Sequence, residues 1–217
     1  MYRRICNLGL FTLISINLSM NAQAALISPS GTIDGLNLSW SQNESNTLQA
    51  FDEAQNILIK SNTIQVDYLM GNNLSLGQQF SGLNHSNSNL YLKEGIYSSH
   101  LLHFDPVKKR SGNVKKQRFE FTNSIIAIIL GGEYLNLSDY LLGNATTQYE
   151  NSISRRLEAN DFLSLESSNT LLVDKVSVGR YWVDDVRIIT QKVPEPSSWA
   201  LFGLGLLGLV GARKLSK

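Results

Sequence analysis

The chain has 217 residues, with 19 Lys and Arg residues against 18 Asp and Glu residues. Its middle segment, residues 25–192, carries a net charge of about −3, which argues against a general nucleic-acid-binding protein. The single cysteine, Cys6, lies near the N-terminus, so the middle segment has neither a disulfide framework nor a thiol nucleophile. A segment of this length buries roughly 70% of its unfolded surface, so one self-sufficient domain is expected there.

The N-terminal segment, residues 1–24, has the three-part organisation of a secretory signal peptide. Two arginines precede an apolar run over residues 8–18, and the small residues Ala22 and Ala24 follow. This order predicts cleavage by signal peptidase after Ala24, which would make Ala25 the first residue of the exported protein. The alternative is a buried N-terminal core helix.

The middle segment has the pattern of short β-strands. Stretches rich in β-branched and aromatic residues, bounded by Gly, Asn and Ser clusters, occur at 36–40, 63–70, 96–104, 114–121, 124–130, 170–178 and 180–190. One helical turn is indicated within residues 151–165. Many short strands without a βαβ rhythm predict an all-β fold, a two-sheet antiparallel β-sandwich of jelly-roll type. Residues 124–130 are almost wholly apolar, so this strand is predicted to be buried on both faces.

Two histidines, His100 and His103, lie three positions apart in a predicted strand. Residues at this spacing point to opposite faces of a strand, so a shared zinc or catalytic site is not favoured. His103 and Asp105 share a face and are predicted to hydrogen-bond to each other. A structural role is the preferred interpretation for both histidines.

Adjacent aspartates, Asp184 and Asp185, lie on opposite faces of the last predicted strand. No metal or cofactor is expected. The alternative is a structural calcium ion, because calcium prefers carboxylate and carbonyl oxygens as ligands. The preferred interpretation has Asp185 in solvent beside Arg187 and has Asp184 capping backbone amides. Further oxygen ligands for calcium would come from Asp34, Asp52, Glu53 and Asp139.

A basic cluster surrounds Gly112-Asn113 and consists of Lys108, Lys109, Arg110, Lys115, Lys116 and Arg118. It is predicted to form a hairpin with positive side chains on both arms. Lysines on an edge strand prevent unwanted pairing, which is the preferred interpretation. The functional alternative is an electrostatic patch for an acidic exopolysaccharide or a lipid head group.

Enzymatic signatures do not occur in the sequence. There is no G-x-S-x-G elbow, no phosphate-binding glycine loop, no H-E-x-x-H and no dinucleotide fingerprint. The carboxylates do not single out a pair for glycoside hydrolysis. A non-enzymatic protein is therefore expected.

The C-terminal segment, residues 193–217, contains an uncharged apolar stretch over 197–212 that ends in basic residues. As a helix this stretch would span about 24 Å, which is short of the roughly 30 Å hydrocarbon core. It is predicted to be a marginal single transmembrane helix with a basic cytoplasmic end, because basic flanks stay in the cytoplasm.

The same segment resembles the PEP-CTERM sorting signal of bacterial exported proteins. The tripeptide Pro194-Glu195-Pro196, the short apolar span and the basic pair Arg213-Lys214 occur in that order. The resemblance implies recognition by exosortase, a membrane protease that processes such proteins near the tripeptide. It also implies an association with bacteria that make exopolysaccharide and biofilm matrix.

The middle segment resembles an uncharacterised domain that recurs in proteins with this signal. The resemblance is carried by residues 51–56, 98–106, 137–143, 155–158 and 183–190. Arg156 and Ala127 stand where the recurring pattern has glycine. The resemblance implies a β-rich domain outside the membrane and no particular activity.

These observations favour an exported, non-enzymatic protein, sorted to the envelope or the extracellular matrix as a structural or adhesive biofilm component. The expected partners are signal peptidase, exosortase, the inner membrane before processing, and an acidic exopolysaccharide. One alternative is a carbohydrate-binding module in which the basic hairpin or an aromatic residue, Trp40, Tyr181 or Trp182, contacts the sugar. Another alternative is a polysaccharide hydrolase.

Overall fold

The computed structural model describes residues 25–82, 89–109 and 111–191. Most of the positions predicted at the two ends of the chain lie outside these residues, namely Ala22, Ala24, the sorting tripeptide, the basic pair and the predicted transmembrane helix at 197–212. Arg110 of the basic cluster also lies outside them. Within the described ranges no helix is both long and apolar enough to cross a bilayer.

Besides a short 3-10 helix at Val107–Lys109, twelve strands and one α-helix make up the regular structure of the described residues. In chain order they are β1 Gln49–Asp52, β2 Ile57–Ile59, β3 Gln65–Val66, β4 Tyr68–Leu69, β5 Gln79–Ser81, β6 Leu90–Tyr91, β7 Gly95–Phe104, β8 Gly112–Glu120, β9 Ser124–Ile129, α1 Gly132–Leu142, β10 Phe162–Ser167, β11 Thr170–Val178 and β12 Asp184–Gln191.

The strands form two main sheets in which every pairing is antiparallel. A six-stranded sheet has the order β1-β7-β12-β9-β4, with β2 pairing to the first part of β7. A four-stranded sheet has the order β5-β10-β11-β8, and β3 pairs with β6 as a small ribbon. The prediction of an all-β fold built from antiparallel sheets is confirmed.

The two main sheets share one apolar core. Leu102 and Ile188 of the six-stranded sheet belong to the same cluster as Phe119, Leu165 and Val173 of the four-stranded sheet. Burying a side chain of this kind contributes about 1.5–3 kcal/mol, so this layer drives the pairing of the sheets. We call the face of the six-stranded sheet toward this core its inner face and the opposite face its outer face.

Strand β9 is buried on both faces, as its apolar sequence predicts. Ile128 contributes to the core between the sheets, whereas Ala127 and Ile129 contribute to a second cluster with Leu135 of α1. A helix therefore covers the outer face of the sheet at this point. The sequence pattern did not predict this helix.

Helix α1 forms because its buried residues have helical spacing. Tyr134, Leu135, Ser138 and Leu142 lie at positions i, i+1, i+4 and i+8, which places them on one side of a helix. Glycines mark both of its ends, with Gly131 at the N-cap and Gly143 at the C-cap. The helix has only eleven residues, so its stability depends on packing against the sheet.

The strand predictions at 96–104, 114–121, 124–130 and 170–178 are confirmed as β7, β8, β9 and β11. Residues 36–40 make one β-bridge, between Asn37 and Gln148, in place of a strand, and the chain then turns where the Asn37 side chain accepts a hydrogen bond from the Ser39 amide. The stretch 63–70 is divided at Asp67, whose carboxylate accepts hydrogen bonds from two amides after β9. The helical turn predicted within 151–165 is wrong, since the chain there forms turns followed by β10.

The basic hairpin predicted around Gly112-Asn113 is wrong. Gly112 and Asn113 belong to β8 and pair with Val178 and Ser177 of β11, whereas β7 lies in the other sheet. A Cβ atom at Gly112 would lie 2.7 Å from the ring of Pro106, so this glycine permits a close approach and does not form a turn tip. The segment before it carries the chain from one sheet to the other.

Candidate functional site

A buried ion network lies on the outer face of the six-stranded sheet, beneath α1. Asp185 and Arg187 are two positions apart on β12 and therefore share a face, and His103 is the register partner of Asp185 on β7. Glu53 follows β1, Asp139 lies on α1, and Arg155 lies in the segment between α1 and β10. We use the name buried ion network for Glu53, His103, Asp139, Arg155, Asp185 and Arg187.

Arg187 is the centre of the network, and its guanidinium has a partner for each donor. Its Nε and Nη2 atoms each donate to a carboxylate oxygen of Glu53 at 2.8 Å. Nη2 also donates to Asp139 Oδ1 at 2.8 Å, and Nη1 donates to Leu135 O and Ser138 Oγ. A fully buried arginine is stable only when its donors are satisfied in this way.

Arg155 connects the helix to the strands through a second set of contacts. Its Nη1 and Nη2 atoms donate to Asp139 at 2.8 and 3.0 Å, so Asp139 bridges the two arginines. Arg155 Nε lies 3.1 Å from Asp185 Oδ2, and these atoms interact as charges without hydrogen-bond geometry. Asp185 Oδ1 in turn lies 2.7 Å from His103 Nδ1. The network therefore ties α1, the following segment and the two central strands together.

Opposite charges offset burial for the ionised groups of this network. Burial opposes ionisation of Asp185, but attraction by His103 and Arg155 holds its pKa below the usual value. Burial also opposes the charge of Arg187, but Glu53 and Asp139 raise its pKa above the usual range. Both groups therefore stay charged at neutral pH inside the fold.

A second polar contact lies on the inner face at His100. Its Nδ1 atom is 2.6 Å from Asp52 Oδ1 and its Nε2 atom is 3.0 Å from Thr190 Oγ1. This is the order of groups in a hydroxyl–histidine–carboxylate triad. A nucleophile must reach the substrate, however, and Thr190 is 0% exposed, whereas Asp52 at the other end is 28% exposed. Solvent therefore reaches the carboxylate end of these three groups and not the hydroxyl of Thr190, which would have to be the nucleophile.

The prediction that the side chains of His100 and His103 point to opposite faces of the sheet is confirmed, since His100 pairs with Asp52 on the inner face and His103 with Asp185 on the outer face. The predicted hydrogen bond from His103 to Asp105 is wrong. His103 pairs with Asp185, and Asp105 Oδ2 accepts a hydrogen bond from the Ser41 amide at 2.5 Å. Cross-strand register decided this outcome, because Asp185 lies directly opposite His103.

The prediction that Asp185 lies in solvent beside Arg187 is also wrong, because both residues are 0% exposed. Asp184 is buried as well, and its Oδ2 atom has no hydrogen-bond partner among the described residues. Burial and the nearby carboxylates of Asp161 and Glu158 raise the pKa of Asp184 well above its usual value. The fold therefore disfavours the ionised form of Asp184.

Of the proposed calcium ligands, Glu53, Asp139 and Asp185 come together in the buried ion network, where basic side chains pair with them, whereas Asp34, Asp52 and Asp184 lie outside it. Asp34 accepts a hydrogen bond from Asn144, Asp52 pairs with His100, and Glu53 and Asp139 bind arginines. Across residues 25–82, 89–109 and 111–191, no group of three or more His, Cys, Asp or Glu side chains is arranged to hold a metal ion.

The basic cluster is partly neutralised by acidic side chains of the four-stranded sheet. Lys116 Nζ lies 3.0 Å from Asp174 Oδ1, and Arg118 donates to both carboxylate oxygens of Glu166. Lys115 is exposed on the same edge strand. The patch for an acidic polymer remains a prediction, without the hairpin that was expected to display it.

The three aromatic residues considered for sugar binding have different surroundings. Trp40 and Tyr181 pack edge to face, with ring centroids 5.3 Å apart, and Arg180 lies over the Tyr181 ring. Trp182, which is 47% exposed, lines a groove of about 440 Å³. We call this groove the Trp182 groove; its other lining residues are Ile153, Ser154, Arg156, Glu158, Ala159 and Asn160.

The Trp182 groove and the buried ion network are built on the same segment. Arg155 and Leu157 are buried, whereas their neighbours Arg156 and Glu158 are exposed and line the groove. The network therefore anchors the backbone that displays the groove's polar side chains. Chemically, the network holds structure together and the groove can contact a ligand.

From the sequence, Glu53, Asp139 and Asp185 were grouped only as calcium candidates, and Arg155 was assigned to no site. A signal was present, since the stretches that resemble the recurring domain supply Glu53, His103, Asp139, Arg155 and both β12 members. Neither departure from that pattern strains the backbone, because Arg156 and Ala127 are not among the non-glycine residues with positive φ.

Comparison with known protein families identifies the C-terminal segment. Residues 192–214 match the PEP-CTERM protein-sorting motif. The chain is therefore an exported protein that is sorted through its C-terminal segment, and the motif implies processing by exosortase, a membrane protease. No curated protein and no solved structure matches the chain.

Proposed function

We propose that this protein acts after export as a structural or adhesive component of the cell envelope or extracellular matrix, without catalytic activity. The observation that carries the proposal is that the clustered ionisable groups of the buried ion network are paired with one another inside the fold, where they link its elements. The two arginines and His103 of the buried ion network are 0% exposed and join the sheet to α1 and the groove segment. A rigid anchored scaffold suits retention of a matrix component.

The C-terminal motif supplies the route to that location. On this proposal the segment 197–212 holds the chain in the inner membrane until exosortase cuts near Pro194-Glu195-Pro196. The β-rich domain is then released to the envelope or the extracellular space. Glu195 between two prolines favours an extended, accessible stretch, because proline and the residue before it both disfavour helix.

The first test is the intact mass of the chain recovered from membranes, envelope and culture fluid of its bacterial host. We expect a mass that starts at Ala25 and ends between Val193 and Pro196, in material outside the inner membrane. A mass that extends to Lys217 in the inner membrane alone would contradict the proposed route.

A second test separates retention from turnover. The purified full chain is incubated with exopolysaccharide from the host, and both the bound protein and the newly formed reducing ends are measured. Retention without new reducing ends is expected. Release of reducing ends that disappears after heat treatment of the protein would favour the hydrolase alternative.

A further inference from the structure

Trp182 packs closely against the backbone of Gly179. A Cβ atom at Gly179 would lie 3.2 Å from Trp182 Cδ1, so the indole packs against the backbone of Gly179 at a distance that few side chains would permit. The indole nevertheless keeps 47% of its surface exposed in the Trp182 groove. An exposed aromatic ring that packs against backbone on one side is suited to bind the apolar face of a ligand with its other side.

The turn before β12 separates Trp182 from its aromatic neighbour. Tyr181 has φ = 72°, a left-handed conformation that is unfavourable for a non-glycine residue. Backbone strain of this kind is often found at binding sites. Here the turn lets Tyr181 pack on Trp40 while Trp182 lines the groove.

Arg156 gives the groove an available positive charge. It is exposed, it lines the Trp182 groove, and no ion pair within the described ranges includes it. This separates it from Arg118, whose carboxylate partner is Glu166. Buried Arg155 and Leu157 fix the backbone on either side, so Arg156 is displayed by an ordered segment.

These features define a ligand with an apolar ring face, a carboxylate and hydroxyl groups. The indole would contact the C–H face of a pyranose ring, and the guanidinium would bind a carboxylate through two N–H groups. Glu158, Asn160 and Ser154 line the same groove and can exchange hydrogen bonds with hydroxyls. We propose that the Trp182 groove binds a uronic acid residue of an acidic polysaccharide.

This inference rests on the proposed matrix function, and it places the polysaccharide in the Trp182 groove and away from the basic cluster of residues 108–118. The distinction matters because Lys116 and Arg118 are already paired with carboxylates. Binding in the groove should need both an aromatic face and a charge, whereas binding at the cluster should depend on charge alone.

The test measures binding of the full chain, purified in detergent, to an oligogalacturonate and to a neutral galacto-oligosaccharide of equal length. Isothermal titration compares the natural chain with Arg156→Ala and Trp182→Ala. We expect each substitution to weaken oligogalacturonate binding about tenfold, the factor that corresponds to about 1.4 kcal/mol. Arg156→Ala should not change binding of the neutral sugar, and Arg156→Lys should retain part of the affinity for the acidic one.

Two control variants match the change in side chain at other sites. Arg118→Ala removes an exposed arginine of the basic cluster, and Tyr140→Ala removes an aromatic that is 92% exposed on α1. Neither should alter oligogalacturonate binding. Trp182→Leu serves beside Trp182→Ala, because it keeps apolar contact with Gly179 and removes the indole ring. Thermal unfolding of each variant verifies that the fold is intact.

Unchanged affinity in both Arg156→Ala and Trp182→Leu would overturn the inference, as would loss of affinity in Arg118→Ala alone. An absence of any oligogalacturonate binding would also overturn it. The proposed matrix function would survive each of these results, because the intact mass and the location of the exported chain decide it separately.

Discussion

Arg187 and Arg118 bind carboxylates through the same pair of nitrogen atoms in opposite environments. Each donates from Nε and Nη2 to the two oxygens of a glutamate, Glu53 for Arg187 and Glu166 for Arg118. Arg187 is fully buried beneath α1, whereas the Arg118 side chain is 54% exposed on the edge of the four-stranded sheet. Geometry alone therefore does not determine what an ion pair contributes.

Burial changes the consequence of losing one partner. Water solvates the remaining charge at the surface, so the pair contributes little and salt screens it. Beneath the helix, removal of one partner leaves a charge with no solvent to replace it. On the outer face of the six-stranded sheet, replacing one charged partner should therefore destabilise the fold. On the four-stranded sheet, the same replacement should have little effect on stability.

The largest effect is expected at Arg187. Arg187→Met leaves the buried Glu53 without its basic partner and leaves Asp139 with Arg155 alone, so the free energy of unfolding should fall by about 3–5 kcal/mol. Urea denaturation measures the change. Adding Glu53→Gln to Arg187→Met should recover part of the loss. If the single variant is as stable as the natural chain, the network does not hold the helix in place.

The next effect is expected at Gly132, the first residue of α1. A Cβ atom there would lie 2.2 Å from the backbone oxygen of Ile153, so Gly132→Ala forces the groove segment away from the helix. The variant should lose about 2 kcal/mol by overpacking, although alanine favours helix over glycine by about 1 kcal/mol. Leu137→Ala, at an exposed position of α1, should stay within about 0.5 kcal/mol. Stabilisation by Gly132→Ala would contradict the close contact.

Asp184 should give a smaller effect of opposite sign. Its folded-state pKa is raised, so the carboxyl costs no stability below the unfolded pKa of about 4, and the cost grows as the pH rises above that value. Asp184→Asn removes a charge that the fold disfavours and should stabilise the protein at pH 7. Each unit by which the folded pKa exceeds the unfolded one contributes about 1.4 kcal/mol to this gain.

Urea unfolding of the natural chain and Asp184→Asn, measured across pH 3–8, tests this behaviour. The two proteins should converge near pH 3, and the advantage of the variant should increase toward neutral pH. Convergence at neutral pH instead, with divergence in acid, would mean that Asp184 is ionised in the fold and has an unrecognised partner.

The smallest effect is expected at Arg118, the surface counterpart of Arg187. Arg118→Met leaves Glu166 in contact with water, so the urea midpoint should not change measurably at physiological salt. The same measurement at low salt should reveal a slight loss. A loss as large as that of Arg187→Met would remove the distinction between the two environments.

The sequence predicted those strands whose pattern reflects burial. Strand β9 is apolar at nearly every position and is buried on both faces as expected, although the helix α1 that covers its outer face was not predicted. Strand β11 has the predicted bounds, because β-branched residues fill it and turns flank it. Short strands such as β2 and β5 were missed, since three residues carry too little periodicity to distinguish a strand from a turn.

The candidate site was predicted in part. Asp184 and Asp185 were placed on opposite faces of one strand, and this placement is confirmed by their different neighbours. Their burial was not predicted, because it depends on α1 and on the segment after it covering the outer face. Arg155, which lies in an irregular segment, has no periodic pattern that could indicate its burial.

By itself the sequence determined the all-β class, the doubly buried strand and the C-terminal sorting motif, because each depends on residues adjacent in the chain. Only the tertiary structure decided which charges meet. Glu53 and Arg187 are 134 positions apart and come together because β1 and β12 both pair with β7. Residues so far apart leave no local pattern, since cross-strand register and the cover of one helix determine their contact.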